Sequence, residues 1–489
     1  MEIKKKNSAL TGFVWKFGER ITAQVITFVV SIVLARILFP EDYGIVAIVT
    51  IFISLANALV NNGFGSSLVQ NKESDETDFS TMFWTSVFFS FALYGLLFLL
   101  SPLISDLFGN KDLTLVLRIM SLRLPFGAIN SIQQAYIQKR MAFKLFFVAT
   151  LIGTIVSAVV GITMALKGFG VWALVCQYLT NVVIDTIVLM IIIDWHPRFV
   201  FSFQRFKVLF SYGWKVMAAS FIGTLFNEIK GLIIGIKYSS VDLAFYNRGN
   251  QIPSLITTNV ESSVESVAFP ILSNIHDDRE NFKKTIRKMM KICSYVMFPI
   301  LFGLAAIAHP MVLVLLTEKW KDAIPFVIVI SIGLTASVLN VVNMQAIKAS
   351  GSSDVYLKLE FIKKPIYLLI IIGCMFISPL AVAIGNAIYG FIAIIINSFP
   401  NRKIINYKLL EQIKDVSPYF IMSLIMFGVV FPIYFLPLKN WLILIIQIPV
   451  GVAVYFGLSA LFRPEAFIFC ANILRRKMNK EKKDVQTDF

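Results

Sequence analysis

The sequence predicts an all-α polytopic membrane protein with fourteen transmembrane helices, and three observations carry that prediction. The 489 residues are 57% hydrophobic and only 15% charged, with a mean hydropathy of +0.76; a soluble chain of this length could not cover its surface at that composition. Apolar windows of about 20 residues, enough to cross the hydrocarbon core as a helix, recur from one end to the other. The 45 Lys and Arg fall unevenly between alternate turns, which is the signature of a fixed orientation in the bilayer.

The windows lie at 13–39, 44–69, 79–100, 113–136, 145–166, 169–193, 208–236, 243–272, 290–316, 323–347, 355–377, 379–400, 415–436 and 440–462. The first follows Lys4, Lys5 and Lys6, but its apolar run is too long for a signal peptide, lacks a small-residue cleavage site and leads straight into another helix. It is therefore expected to stay as a membrane span. A turn at Pro40-Glu41-Asp42-Tyr43-Gly44 joins it to the second span, whose end carries Asn61-Asn62-Gly63-Phe64-Gly65. Most later spans are separated by similar short signals, such as Lys167-Gly168-Phe169-Gly170 and Ser378-Pro379, where Gly and Pro interrupt helical geometry. Six spans fill residues 1–200, six fill 201–403, two more occupy 404–462, and 463–489 form a basic tail.

With both termini placed in the cytoplasm, inward loops and helix rims hold 31 Lys and Arg, outward ones hold 7, and 7 lie inside spans. The net charge of +16 is thus topological, with a secondary attraction to anionic headgroups, and nucleic-acid binding is not needed to explain it. The densest basic patch runs from His276 to Lys291 and reads as a juxtamembrane amphipathic helix. Cys176, Cys293, Cys374 and Cys470 all lie in apolar segments without metal-ligand spacing, so they read as core residues rather than disulfide or zinc partners.

The chain also carries a weak internal repeat. Phe17-Gly18-Glu19-Arg20-Ile21-Thr22-Ala23 matches Tyr212-Gly213-Trp214-Lys215-Val216-Met217-Ala218, and Asp42-Tyr43-Gly44 matches Asp242-Leu243-Ala244. Related halves are a common way to build transporters.

Charges inside spans cost about 2.5–3.5 kcal/mol each at mid-bilayer and ask for a partner or a wet cavity. Arg20 and Lys215 are repeat-equivalent, and Arg123 lies deep in its window; these three are expected to share a cationic cleft. Arg118 is assigned a cavity role with Arg123. For Arg36 and Lys230, near outer helix ends, snorkelling and a cavity role both stand. Lys363 and Lys364 are expected to snorkel. The eighth window is polar along one side, with Asn247, Asn250, Gln251, Ser254, Thr257, Thr258, Glu261 and Glu265 at three- and four-residue steps, as in a helix that lines water. Glu261 and Glu265 either line a cavity, where they could take Na⁺ or H⁺, or face solvent at the cytoplasmic end.

Catalysis finds no support. His196, His276 and His309 pair with no Cys, Ser or carboxylate at a recognisable spacing, and no phosphate-binding glycine loop is present. The sequence indicates neither an enzyme nor a resident cofactor or metal.

Several stretches resemble the polysaccharide exporter and flippase family of the multidrug/oligosaccharidyl-lipid/polysaccharide (MOP) exporter superfamily, in particular colanic-acid-exporter-type lipopolysaccharide biosynthesis proteins. They are Val33-Leu34-Ala35-Arg36-Ile37-Leu38, Asp42-Tyr43-Gly44, Asn62 to Gln70, Phe269-Pro270-Ile271-Leu272-Ser273-Asn274-Ile275, Glu318-Lys319-Trp320 and Ile347-Lys348-Ala349-Ser350-Gly351. The resemblance implies two six-helix lobes around a central cavity plus two further helices, working by alternating access in a bacterial inner membrane. It also implies an undecaprenyl-diphosphate-linked oligosaccharide as cargo, serving O-antigen, exopolysaccharide or a related polymer. Membrane lipids and other polysaccharide assembly proteins would be its partners. Multidrug antiport on the same fold, a membrane polysaccharide polymerase and a scaffold of the assembly machinery are the alternative readings.

Overall fold

A computed structural model describes residues 22–472, and every regular element among them is helical. The helices are α1 (Thr22–Ile37), α2 (Pro40–Gln70), α3 (Glu76–Leu107), α4 (Asp112–Met120), α5 (Arg123–Arg140), α6 (Phe143–Leu166), α7 (Val171–Ile192), α8 (Phe203–Lys237), α9 (Ser240–Asn274), α10 (Arg279–Ala306), α11 (Ala308–Leu315), α12 (Ile324–Ala349), α13 (Ser353–Cys374), α14 (Pro379–Ile404), α15 (Leu409–Val430) and α16 (Asn440–Phe462). Eleven of the described segments are long and apolar enough to cross a membrane. The three other expected spans correspond to α1, whose described part is short, and to α9 and α13, whose polar and charged side chains lower their hydropathy.

The chain divides into two compact units, Met1–Ala244 and Phe245–Phe489. In the first, α2 packs against α3, α4, α5, α7 and α8. Its start is set by Pro40 in the first turn, where the missing N–H costs nothing, and by Asp42, whose Oδ2 accepts the Phe39 N–H at 3.1 Å. At the start of α9 the repeat-equivalent Asp242 pairs instead with a serine hydroxyl, which takes the backbone N–H. It accepts the Ser239 hydroxyl at 2.6 Å, and its own N–H donates to Ser239 Oγ at 3.0 Å. The two turns also touch: a Cβ on Gly44 would sit 2.3 Å from the Ser240 carbonyl oxygen. Farther along, a Cβ on Gly63 would lie 2.7 Å from the Gly213 carbonyl oxygen, so small residues let α2 and α8 approach backbone to backbone. Beside that contact Phe64, Leu68, Phe79, Met82, Ile132 and Leu209 form a buried core.

Asp75 caps α3 by accepting the N–H groups of Thr77 and Asp78 at 2.9 Å each, and Arg205 pairs with Asp75 and Asp78 at 2.5 and 3.2 Å. Burial pushes the Asp75 carboxyl up, but the hydrogen bonds from Asp78, Arg205 and Thr77 outweigh it and hold it below the usual range. The same helix start ties down the link into α8: Ser80 Oγ accepts the Arg198 N–H and Thr81 Oγ1 accepts the Ser202 N–H.

The window 113–136 is not one continuous helix. It breaks at Ser121–Leu122 between α4 and α5. Pro125 explains the restart, because a proline fits the first turn of a helix and not its interior. The window 290–316 is likewise split into α10 and α11.

In the second unit the basic stretch expected from His276 to Lys291 begins in the turn before α10 and forms its first turns from Arg279 onward. Its apolar residues Phe282, Ile286 and Met290 recur every fourth position and are buried with Phe298, Tyr407 and Tyr419. Asp415 fastens α15, the first of the two appended helices, here. Arg287 donates Nε and one Nη to it at 2.7 Å each, the Tyr407 hydroxyl donates at 2.7 Å, and Lys291 lies at 3.3 Å. Tyr455 of α16 adds a hydrogen bond to the Tyr295 carbonyl at 2.8 Å.

Candidate functional site

Amide spacing builds the site of the first unit. Asn57 and Asn61 stand one turn apart on α2, and Asn130, Gln134 and Gln138 stand one turn apart on α5, so each set forms a stripe on one helix face. The two stripes line a common cavity of about 330 Å³, with Arg123 among its walls. Gly127 leaves room between them: a Cβ there would reach 3.7 Å from both Asn57 Oδ1 and Asn61 Nδ2. Within each stripe one amide orders the next, Asn61 Nδ2 donating to Asn57 Oδ1 at 3.3 Å and Gln134 Nε2 to Asn130 Oδ1 at 2.5 Å.

The helix break places Arg123 at the first position of α5. Its guanidinium lies 5.1 Å from the centre of the Tyr178 ring on α7, and its Nε is buried without a hydrogen-bond partner. No carboxylate among the described residues pairs with it. A cation held in a membrane helix without a counter-charge is costly, and here it is surrounded by side chains that both donate and accept. Amides match hydroxyl and carbonyl groups, and a guanidinium fork matches phosphate oxygens.

The second unit has a polar cavity of its own, about 370 Å³, lined by Glu261 and Glu265 of α9, Lys348 of α12 and Glu360 and Lys363 of α13. Lys363 is only 6% exposed and pairs with Glu360 at 2.5 Å. This corrects the snorkelling expected for Lys363: the carboxylate one turn earlier holds it in the protein. Gln345 Nε2 donates to Glu265 Oε1 at 3.1 Å. Asn397 Nδ2 donates to Asn340 Oδ1 at 2.8 Å, so amides line this cavity as well.

The remaining expected site residues are not gathered into either cavity. Arg20 lies outside the described residues. Lys215 is exposed on α8 and does not line the cavity of Arg123. Arg118 turns to α3, donating from Nε to Ser101 Oγ at 2.9 Å with its guanidinium 4.2 Å from the centre of the Phe98 ring. Arg36 is exposed near the end of α1, and Lys230 is half-buried on α8. On α9, Asn250 accepts from Ser254, Gln251 accepts from Arg248, and Thr258 donates to the Ser254 carbonyl. These three line neither cavity. What the sequence reading missed were the amide stripes and the Glu360–Lys363 pair. The signals were present as amides four residues apart in apolar helices, and as an acid three residues before a buried lysine.

The model of a family described as "Polysaccharide biosynthesis protein" matches residues 33–325. The chain is 28% identical over 298 residues to the succinoglycan biosynthesis transport protein ExoT of Rhizobium meliloti (strain 1021), a match covering 61% of this chain and 60% of that protein. It thus spans less than two thirds of that relative's length. To the lipopolysaccharide biosynthesis protein WzxC of Escherichia coli (strain K12) it is 24% identical over 411 residues, covering 82% of this chain and 81% of the relative. Among solved structures, the lipid II flippase MurJ in an inward closed conformation superposes with a TM-score of 0.73 at 17% identity, covering 93% of this chain and 98% of that one. At that identity the likeness concerns the fold.

Proposed function

The chain belongs to the polysaccharide biosynthesis protein family, and from that premise we propose that it is a flippase for a diphosphate-linked oligosaccharide lipid, carrying the sugar-bearing headgroup across the cytoplasmic membrane of a bacterium by alternating access. The observation that carries this reading is Arg123: a cation in an amide-lined cavity, without a carboxylate partner among the described residues. A diphosphate carries about two negative charges that cannot enter hydrocarbon unpaired. Arg123 supplies a matching fork, and the amides of α2 and α5 supply the alternating donors and acceptors that sugar hydroxyls require. The polyprenyl tail needs no polar site, because it remains in lipid. A cationic, amide-rich cavity suits an anionic polyol better than the cationic drugs of a multidrug antiporter. The test is binding by the purified protein. A diphosphate-linked oligosaccharide lipid should bind at least about tenfold more tightly than the neutral polyprenyl alcohol of the same tail length, as charge-assisted hydrogen bonds warrant. Equal affinities would contradict the proposal.

The cavity of the second unit supplies the coupling step of this proposal. Glu261 and Glu265 are like charges one turn apart, so a bound Na⁺ or H⁺ relieves their repulsion. A site drives transport only if its affinity differs between two conformations. The variant Glu265→Gln is accordingly expected to bind the lipid-linked sugar as the parent does while losing the dependence of transport on pH or Na⁺. A Glu261→Gln, Glu265→Gln double variant that transports with unchanged ion dependence would refute the coupling role.

A further inference from the structure

Another cavity of the second unit, about 360 Å³, lies beside the basic end of α10 and is lined by Lys284, Arg287, Lys288, Lys291, Glu465 and Phe469 among others. The four cations recur at three- and four-residue steps and share one helix face. Three of them have carboxylate partners. Lys284 pairs with Glu280 at 2.7 Å on the exposed surface, Arg287 with Asp415, and Lys291 with Asp415 and, at 2.7 Å, with Glu465. Lys288 has none among the described residues; its ammonium stands 3.6 Å from the centre of the Phe469 ring.

Beyond Lys288 the same stripe of α10 turns apolar, with Ile292, Val296 and Ile300 at four-residue steps. Val296 and Ile300 are 42% and 41% exposed. From the helix start inward the order is therefore cations, an aromatic ring, and an exposed aliphatic stripe. A phospholipid presents its groups in that order: phosphate, the interfacial layer where aromatic rings settle, and acyl chain. Free phosphate would use the cations and leave the aliphatic stripe without a role.

We propose that this cavity binds the headgroup of an anionic phospholipid, with Lys288 and Lys284 on the phosphate and an acyl chain along Ile292, Val296 and Ile300. The Lys284–Glu280 pair does not stand in the way, since exposed ion pairs are weak and exchange readily. Arg287 and Lys291 also line the cavity but are balanced by Asp415 and Glu465, so the charge left for the phosphate is that of Lys288 and of Lys284 released from Glu280. The site does not rest on the transported substrate and belongs to the leaflet in which the positive-inside rule places the basic loops.

The test uses the full-length protein in neutral detergent, with phosphatidylglycerol, phosphatidylcholine and inorganic phosphate as probes and bound lipid counted by native mass spectrometry. Phosphatidylglycerol should bind and phosphatidylcholine should not compete. The Lys284→Gln, Lys288→Gln variant should weaken phosphatidylglycerol by at least about tenfold, while Lys284→Arg, Lys288→Arg retains it. A control removing two exposed cations elsewhere, Lys167→Gln and Lys207→Gln, should leave it unchanged. Undiminished binding in the first variant, an equal loss in the control, or displacement by millimolar inorganic phosphate would each overturn the proposal, the last by marking a site for free anions.

Discussion

Replacing Arg123 by Gln is expected to lower transport of a lipid-linked oligosaccharide at least about tenfold while leaving thermal stability unchanged or raised. Hydrogen bonds to charged groups contribute about 1.5–3 kcal/mol, and the guanidinium is the one cation among the residues named for the cavity of the first unit. Its removal breaks no ion pair among the described residues, because none is formed. The expectation for stability follows from the cost of keeping a charge inside a membrane helix without a counter-ion. A structural role would give the opposite pattern, with stability falling and transport following it. Arg123→Lys should recover part of the activity, since an ammonium supplies the charge without the planar fork. Flipping assays and melting curves on the same preparations separate the two outcomes, and a fully active Arg123→Gln protein would remove Arg123 from the site.

The largest stability loss is expected from Asp415→Ala, at about 3–5 kcal/mol. That carboxylate receives Arg287 through two donors, the Tyr407 hydroxyl and Lys291. Deleting it leaves Arg287 and the Tyr407 hydroxyl without their acceptor at the seam between α10 and α15, and leaves Lys291 with Glu465 alone. By contrast, Glu465→Ala removes an exposed partner of Lys291 and should change stability by less than about 1 kcal/mol. Thermal unfolding of the two variants in one detergent compares them directly. Equal small losses would mean that α15 is held by its apolar contacts alone.

Particular residues show what the sequence could disclose. Helix class and approximate limits followed from apolar window length, but Pro40 to Gly44, expected as a turn, form the first turns of α2, because Pro and Asp suit the start of a helix as well as a turn. The break between α4 and α5 was signalled by Pro125, but an apolar window runs across a broken helix as smoothly as across a straight one. Arg123 was singled out because a charge in an apolar window is conspicuous. Its amide neighbours were not, since each Asn or Gln alone is unremarkable and α2 and α5 meet only in the fold. Arg118 has the same local sequence character as Arg123 and yet packs on Phe98 and Ser101; nothing within its own window distinguishes the two. Lys363 shows the converse. Its partner Glu360 was visible three residues away, but its burial comes from the cavity that α12, α13 and α14 form together. Family resemblance read from Asn62-Gly63-Phe64-Gly65 also has a physical counterpart, because Gly63 is where α2 meets Gly213 of α8.

Movement of a diphosphate-linked oligosaccharide lipid between leaflets can be followed in a purified system. Purified protein is placed in sealed vesicles carrying that lipid in both leaflets, and the fraction open to a sugar-cleaving enzyme added outside is followed with time. The wild-type protein is expected to expose the inner-leaflet half within the assay, whereas protein-free vesicles and vesicles with the Arg123→Gln variant remain near one half. Vesicles with folded wild-type protein that stay at one half, with or without a Na⁺ or pH gradient, would contradict the proposed flippase role.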